Sequence, residues 1–117
     1  MKNLNLLLLL SALLLSSCAK IVDAPPQIKV WVVDEEQAPV THVTIKLFET
    51  LEDWESDTNW IRKAETGNEN FKVFLEMEEL EYYISATKGQ RSNRETGSHL
   101  TEPLQINKLV HVTTTIK

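Results

Sequence analysis

An all-β fold, a seven-stranded antiparallel β-sandwich, is what this sequence predicts, and two observations carry the expectation. Beyond residue 26 the apolar residues recur with period two, in short runs rich in Val, Ile, Thr, Tyr and Phe that end at polar turns. Helical spacing is not sustained anywhere in that region, so nothing supplies the crossover helices that a parallel sheet needs.

The strands follow in order. Residues 27–33 (QIKVWVV) alternate and then run apolar, and DEEQAP at 34–39 is a turn closed by Pro39. Residues 40–49 place Val43, Ile45 and Leu47 on one face and Thr44, Lys46 and Phe48 on the other. A short third strand is expected at 61–65. The turn TGNEN at 66–70 offers Gly67 and two asparagines for positive φ, and leads into a strand at 71–75. EYYISATK at 81–88 alternates again, a weak strand is expected at 100–104, and a strong last one spans 108–116. If successive strands alternate direction, the 50–60, 76–80 and 105–107 connections share the end of the N-terminus. The 34–39, 66–70 and 89–99 connections share the other, where Lys88, Arg91 and Arg94 make a locally basic patch.

The N-terminus has a different character. Met1-Lys2-Asn3 is a short basic start, and the apolar segment 6–15 is interrupted only by Ser11 and Ala12 before Ser16-Ser17-Cys18. This is the three-part layout of a secretory signal peptide, and its apolar core is about half the ~20 residues needed to span a bilayer. Leu15-Ser16-Ser17-Cys18 resembles the bacterial lipobox, in which the cysteine receives diacylglycerol and a peptidase then cuts just before it. The resemblance implies lipidation of Cys18, the only cysteine of the chain, which has no disulfide partner to explain it otherwise. Residues 1–17 are then a leader, 18–26 a lipidated tether containing Pro25-Pro26, and 27–117 the β-sandwich domain. The expected location is the outer membrane, on its periplasmic face or at the cell surface, since Ala19 and not the aspartate of an inner-membrane retention signal follows the cysteine. Two or three acyl chains anchor stably where one does not. The net charge is −5, and loss of Lys2 with the leader makes it one unit more negative, which argues against nucleic acid as a partner.

Two segments carry a further resemblance. VVDEEQAPVTHVTIKLFET followed by TGNENFKVFLEMEELEYYISATKG resembles the transthyretin-like (prealbumin-like) or carboxypeptidase-regulatory-like β-sandwich modules of bacterial envelope proteins, with an overall immunoglobulin-like layout. The resemblance covers most of residues 27–117. Those modules usually carry Gly where Gln37 and His42 stand here, and often where Asn70 stands. One enzyme class of the transthyretin fold, the hydroxyisourate hydrolases, ends in Tyr-Arg-Gly-Ser, whereas this chain ends Thr113-Thr114-Thr115-Ile116-Lys117, so the likeness stops at the fold.

Chemistry-bearing residues are sparse. No nucleophile elbow surrounds Thr41, Ser85, Ser92 or Ser98, and three glycines leave no Gly-rich phosphate loop. His42, His99 and His111 are far apart, and alternation puts His111 on an outward face opposite Val110 and Val112. No catalytic set, cofactor or metal centre is therefore expected. The loop TLEDWESDTNW at 50–60 holds four acids, Glu52, Asp53, Glu55 and Asp57, alongside Trp54 and Trp60, but lacks the glycine and terminal glutamate of an EF-hand loop. Its tryptophans are expected to cap the open end of the core; alternatively, Trp54 and Trp60 stack on a carbohydrate or other small ligand. The leading expectation is a non-catalytic interaction or accessory module, held to the membrane by the lipid on Cys18 and meeting a protein partner in the envelope through its strand edges.

Overall fold

A computed structural model of the chain describes residues 22–117; the leader and Cys18 lie outside the described residues. Seven strands form two sheets. They are β1 (Gln27–Val33), β2 (Thr44–Phe48), β3 (Arg62–Glu65), β4 (Phe71–Phe74), β5 (Tyr83–Lys88), β6 (Arg91–Ser92) and β7 (Leu109–Thr115), with one helix, α1 (Leu51–Ser56), between β2 and β3. One sheet has the order β4-β1-β7 and the other β3-β2-β5-β6. Their inner faces meet in a core of Ile28, Val30 and Val32 against Val43, Ile45, Leu47, Ile84 and Ala86, closed by Phe74, Met77, Tyr82, Leu104 and Ile116.

The all-β sandwich and its inner faces stand as the alternation predicts, but the sheet is not wholly antiparallel. β1 and β7 pair in parallel, from Gln27 beside Leu109 to Val33 beside Thr115. Alternation reports which side chains share a face and is silent on the direction of a neighbour. The direction comes from the segment before β7, which runs back along β5 and returns the chain to the end where β1 begins. That segment is not the expected strand at 100–104. It is the short β6, a loop, and then a single bridge from Leu100 to Tyr83.

Asn93 explains why the ladder survives this interruption. Its side chain is fully buried; Oδ1 accepts from Ala86 N at 3.1 Å and Nδ2 donates to Ile84 O at 2.8 Å, taking the place of a strand backbone. Nδ2 also donates to Thr114 Oγ1 in β7 at 2.9 Å, so one amide ties the two sheets together. Thr114 is itself fully buried and donates to Ser98 O at 2.8 Å.

The helix is a second departure, since no helix is expected between the strands. Thr50 caps it, its Oγ1 accepting from Asp53 N, and Glu52 and Asp53 place negative charge in the first turn. Asp57 ends it in the left-handed region at φ 54°. With fewer than two turns and one buried residue, Trp54, it shows no periodicity for a sequence reading to detect.

Between β1 and β2 the chain changes sheets, which is why β2 starts at Thr44 and not at residue 40. Val40 N still donates to Val32 O in the first sheet, and His42 N donates to Gly67 O as the chain crosses. Gln37 and His42, where the resembling modules carry Gly, both take positive φ (66° and 55°). Asp34 supports the turn, its carboxylate accepting from Glu36 N and Ala38 N.

At the opposite end, Asn107 fixes residues just before β1. Its Oδ1 accepts from Ala24 N at 2.6 Å, its Nδ2 donates to Asp23 at 3.1 Å, and its backbone N donates to Ala24 O. Met77 N donates to the carbonyl of Pro26, which is buried.

Candidate functional site

The structure separates the two tryptophans of the 50–60 loop. Trp54 is 6% exposed and Trp60 is 48% exposed. Trp54 does not cap the open end of the sandwich. It lies beneath α1 on the outer side of the four-stranded sheet, where its Nε1 donates to Ile84 O at 2.8 Å. Arg94 packs over its ring at 4.4 Å and donates to its carbonyl, while His99 stacks at 4.3 Å between centroids. Phe48, also fully buried, lies on the same side of that sheet, opposite Leu47. Of the expected basic patch, Arg94 packs on Trp54 and Lys88 donates to Thr41 O at 2.8 Å, while Arg91 is exposed. Trp60 stands in solvent, with the Lys63 ammonium 5.9 Å from its ring centroid.

The histidines stay apart. His42 pairs with Glu65 at 3.7 Å on the surface, His99 belongs to the Trp54 stack, and His111 is exposed on the outer face of β7 as alternation predicts. The described residues hold no group of three or more His, Cys, Asp or Glu side chains placed to share a metal ion. A cleft of about 190 Å³ opens between Glu49, Arg62, Glu76, Glu78 and Tyr82. Tyr82 is 1% exposed; burial pushes its phenol above the ordinary value of 10.0, although the Glu78 backbone hydrogen bond works the other way.

The most developed constellation is one the sequence reading passed over. It lies on the outer face of the three-stranded sheet, which no element covers among the described residues. β1 is central there, with Lys29 directly between Val73 and His111, and Trp31 directly between Phe71 and Thr113. The Lys29 ammonium sits 4.1 Å from the ring centroids of both Trp31 and Phe71, whose own centroids are 4.9 Å apart at 52°. Trp31 Nε1 donates to His111 Nδ1 at 3.2 Å. The two ring planes differ by 16° with centroids 6.3 Å apart, too far for face-to-face contact, so the hydrogen-bonded rings lie side by side in nearly one plane. Because Nδ1 accepts, the imidazole carries its proton on Nε2, which remains a donor.

Trp31 could have been found from one signal. In QIKVWVV the buried residues are Ile28, Val30 and Val32, so Trp31 occupies an outward position. An outward tryptophan at the middle of a central strand is placed for contact with something. The apolar run Val30–Val33 hides that alternation from a reading by hydropathy.

Fold and surface together define a two-sheet β-sandwich with one helix-covered outer face and one open aromatic and cationic face. No protein-family model and no curated protein matches the chain.

Proposed function

We propose that this chain is a lipid-anchored envelope protein whose β-sandwich works by binding and not by catalysis. The anchor reading rests on Leu15-Ser16-Ser17-Cys18, and the transthyretin-like reading rests on the sequence resemblance, with which the two-sheet sandwich agrees. The observation that carries the binding reading is the uncovered outer face of β4-β1-β7, where Trp31, Phe71 and Lys29 are half-buried and His111 is exposed. Aromatic side chains left in reach of solvent on a rigid, doubly paired strand are a recognition surface, since ordering them on binding costs little entropy.

Protein contact is supported by the strand edges. β7 borders the smaller sheet, and among the described residues only its far end is occupied, by Ser98 Oγ accepting from Thr115 N and by Thr96 Oγ1 donating to Thr115 O. The stretch from Leu109 to Thr113 leaves its edge to an incoming strand. The second reading, a small-ligand site in the 50–60 loop, keeps support only at Trp60, because Trp54 is committed to Ile84 and Arg94.

Mass spectrometry of the protein recovered from host membranes tests the anchor. The expected mature N-terminus is Cys18 bearing the mass of the acyl chains, and Cys18→Ala should lack that mass. Recovery of an unmodified Cys18 in the membrane-bound protein would overturn the reading.

A further inference from the structure

We propose that the free edge of β7, from Leu109 to Thr113, takes an antiparallel strand from a partner protein, one with aliphatic side chains at two alternate positions. The proposal rests on the binding reading above and names the partner's chemistry and the line along which it pairs.

The register decides which backbone groups are free. Gln27 N donates to Lys108 O and Ile116 N donates to Val33 O, and the parallel register between them turns the N–H and C=O of residues 110, 112 and 114 toward β1. Those of Leu109, His111, Thr113 and Thr115 point away. Ser98 and Thr96 meet the groups of Thr115, and no group among the described residues meets those of Leu109, His111 or Thr113. Donors and acceptors recurring at every second residue along one line are matched by the backbone of another strand.

The other sheet edges are closed to such a partner. β4 turns Lys72 toward the inner face, opposite the fully buried Val30, so a strand added there would bury a charge. β3 has four residues, three of them charged. β6 already exchanges backbone hydrogen bonds with Lys117 through the N–H and C=O of Ser92. β7 has none of these protections: it pairs with β1 without a bulge, and Leu109–Thr113 holds no proline and no inward charge.

Val110 and Val112 select the side chains of the occupant. Both lie against the core and both are only half-buried, whereas Ile28, Val30 and Val32 of the central strand are fully buried. Aliphatic groups directly opposite the two valines complete that layer. Charge agrees: residues 103–117 contain Lys108 and Lys117 and no acid, in a chain with 17 acidic residues, so an acidic strand meets attraction here. A second copy is basic along the same stretch, and two antiparallel β7 strands would send their N-terminal tethers to opposite ends.

The test titrates the purified protein with the capped peptide Thr-Val-Thr-Val-Thr-Glu while following the backbone amides of β7 by NMR. Saturable shifts and slowed hydrogen exchange are expected at Leu109, His111 and Thr113. N-methylation of the peptide's middle Thr removes a donor aimed at β7 and should weaken binding about tenfold. N-methylation of its first Val, whose N–H faces away, should leave the affinity unchanged. Thr113→Pro deletes an N–H that β1 does not use and should also weaken binding about tenfold, and Val110→Lys should reproduce the protection given by Lys72. The two methylated peptides decide the question if neither variant folds. Absence of saturation, equal affinity of the methylated peptides, or unchanged affinity in Thr113→Pro would overturn the proposal. So would a dimer in sedimentation that Thr113→Pro dissociates, which would give the edge to a second copy. Shifts confined to the side chains of Trp31 and Phe71, with the edge amides unmoved, would overturn it while leaving the binding reading in place.

Discussion

At the scale of single residues, Asn93 joins β5 to β7 through one fully buried side chain. Its amide satisfies Ala86 N and Ile84 O and reaches Thr114 across the core, so Asn93→Ala leaves buried polar groups unmatched. An orphaned buried group costs ~1–3 kcal/mol, and a total near 3 kcal/mol is expected because Trp54 still serves Ile84 O. The urea midpoint should fall accordingly at unchanged slope. Nothing in the sequence marks this residue. Asn93 sits in GQRSNRETGSH, which reads as an ordinary polar loop, and its role exists because the backbone running back along β5 meets Ile84 N and Ala86 O but leaves Ala86 N and Ile84 O to its side chain. Other residues were legible. His111 falls outward because Val110 and Val112 fall inward, and Trp31 obeys the same rule, although the valines around it disguise the pattern. Lys29 had no legible role, since its seat is formed by Phe71, more than forty positions away in the chain.

At the scale of elements, α1 turns a simple sandwich into one with a third, partial layer. Thr50, the two acids after it and Asp57 supply caps, and Trp54 supplies the only buried contact, so the helix stands or falls with that residue. Trp54→Ala removes a large buried ring, its bond to Ile84 and the seat of Arg94, and should cost about 3–5 kcal/mol. Trp60→Ala, at an exposed position, should stay within about 0.5 kcal/mol. Thermal or chemical unfolding of the two variants side by side checks the contrast; equal losses would contradict the placement of the helix. The strands were legible in proportion to their burial on one face. β1 and β7 alternate over seven residues, and these two and β5 matched the expected spans closely, whereas β6 has two residues and offers no pattern. β2 began later than expected because residues 40–43 are spent crossing between sheets. The left-handed φ of Gln37 and His42 shows that the crossing keeps a glycine-like backbone without glycine.

For the whole molecule, stability in alkaline solution should follow Tyr82, whose ring closes the core at the end of β5. Burial raises its phenol above 10.0, with the carboxylates of Glu78 and Glu49 adding to the shift, so the folded protein holds that proton more tightly than the unfolded chain does. The stabilisation is therefore complete below pH 10 and is lost as the pH climbs from there through the folded-state value. Urea midpoints measured from pH 8 upward should fall above ~10 in the native sequence, and Tyr82→Phe should flatten that fall. A Tyr82→Phe variant with an unchanged alkaline slope would assign the loss to other groups.

The three hydrogen bonds of Asn107 set how far the domain can stray. They hold Asp23 and Ala24 to the body of the protein, so with Cys18 acylated as proposed the five links from Cys18 to Asp23 bound the distance from the lipid. Five links of extended chain span at most about 18 Å. Nine free residues would have allowed roughly 30 Å. A tether this short brings the end of the sandwich carrying Glu78, Glu79 and Glu81, all exposed and following Met77, which bonds Pro26, within a few Debye lengths of ~8 Å of the lipid headgroups. Anionic lipid would repel that end while the tether draws it in. The sandwich would then stand on its acidic end, with the strand axes rising from the bilayer and the Trp31 face turned sideways, along the membrane plane.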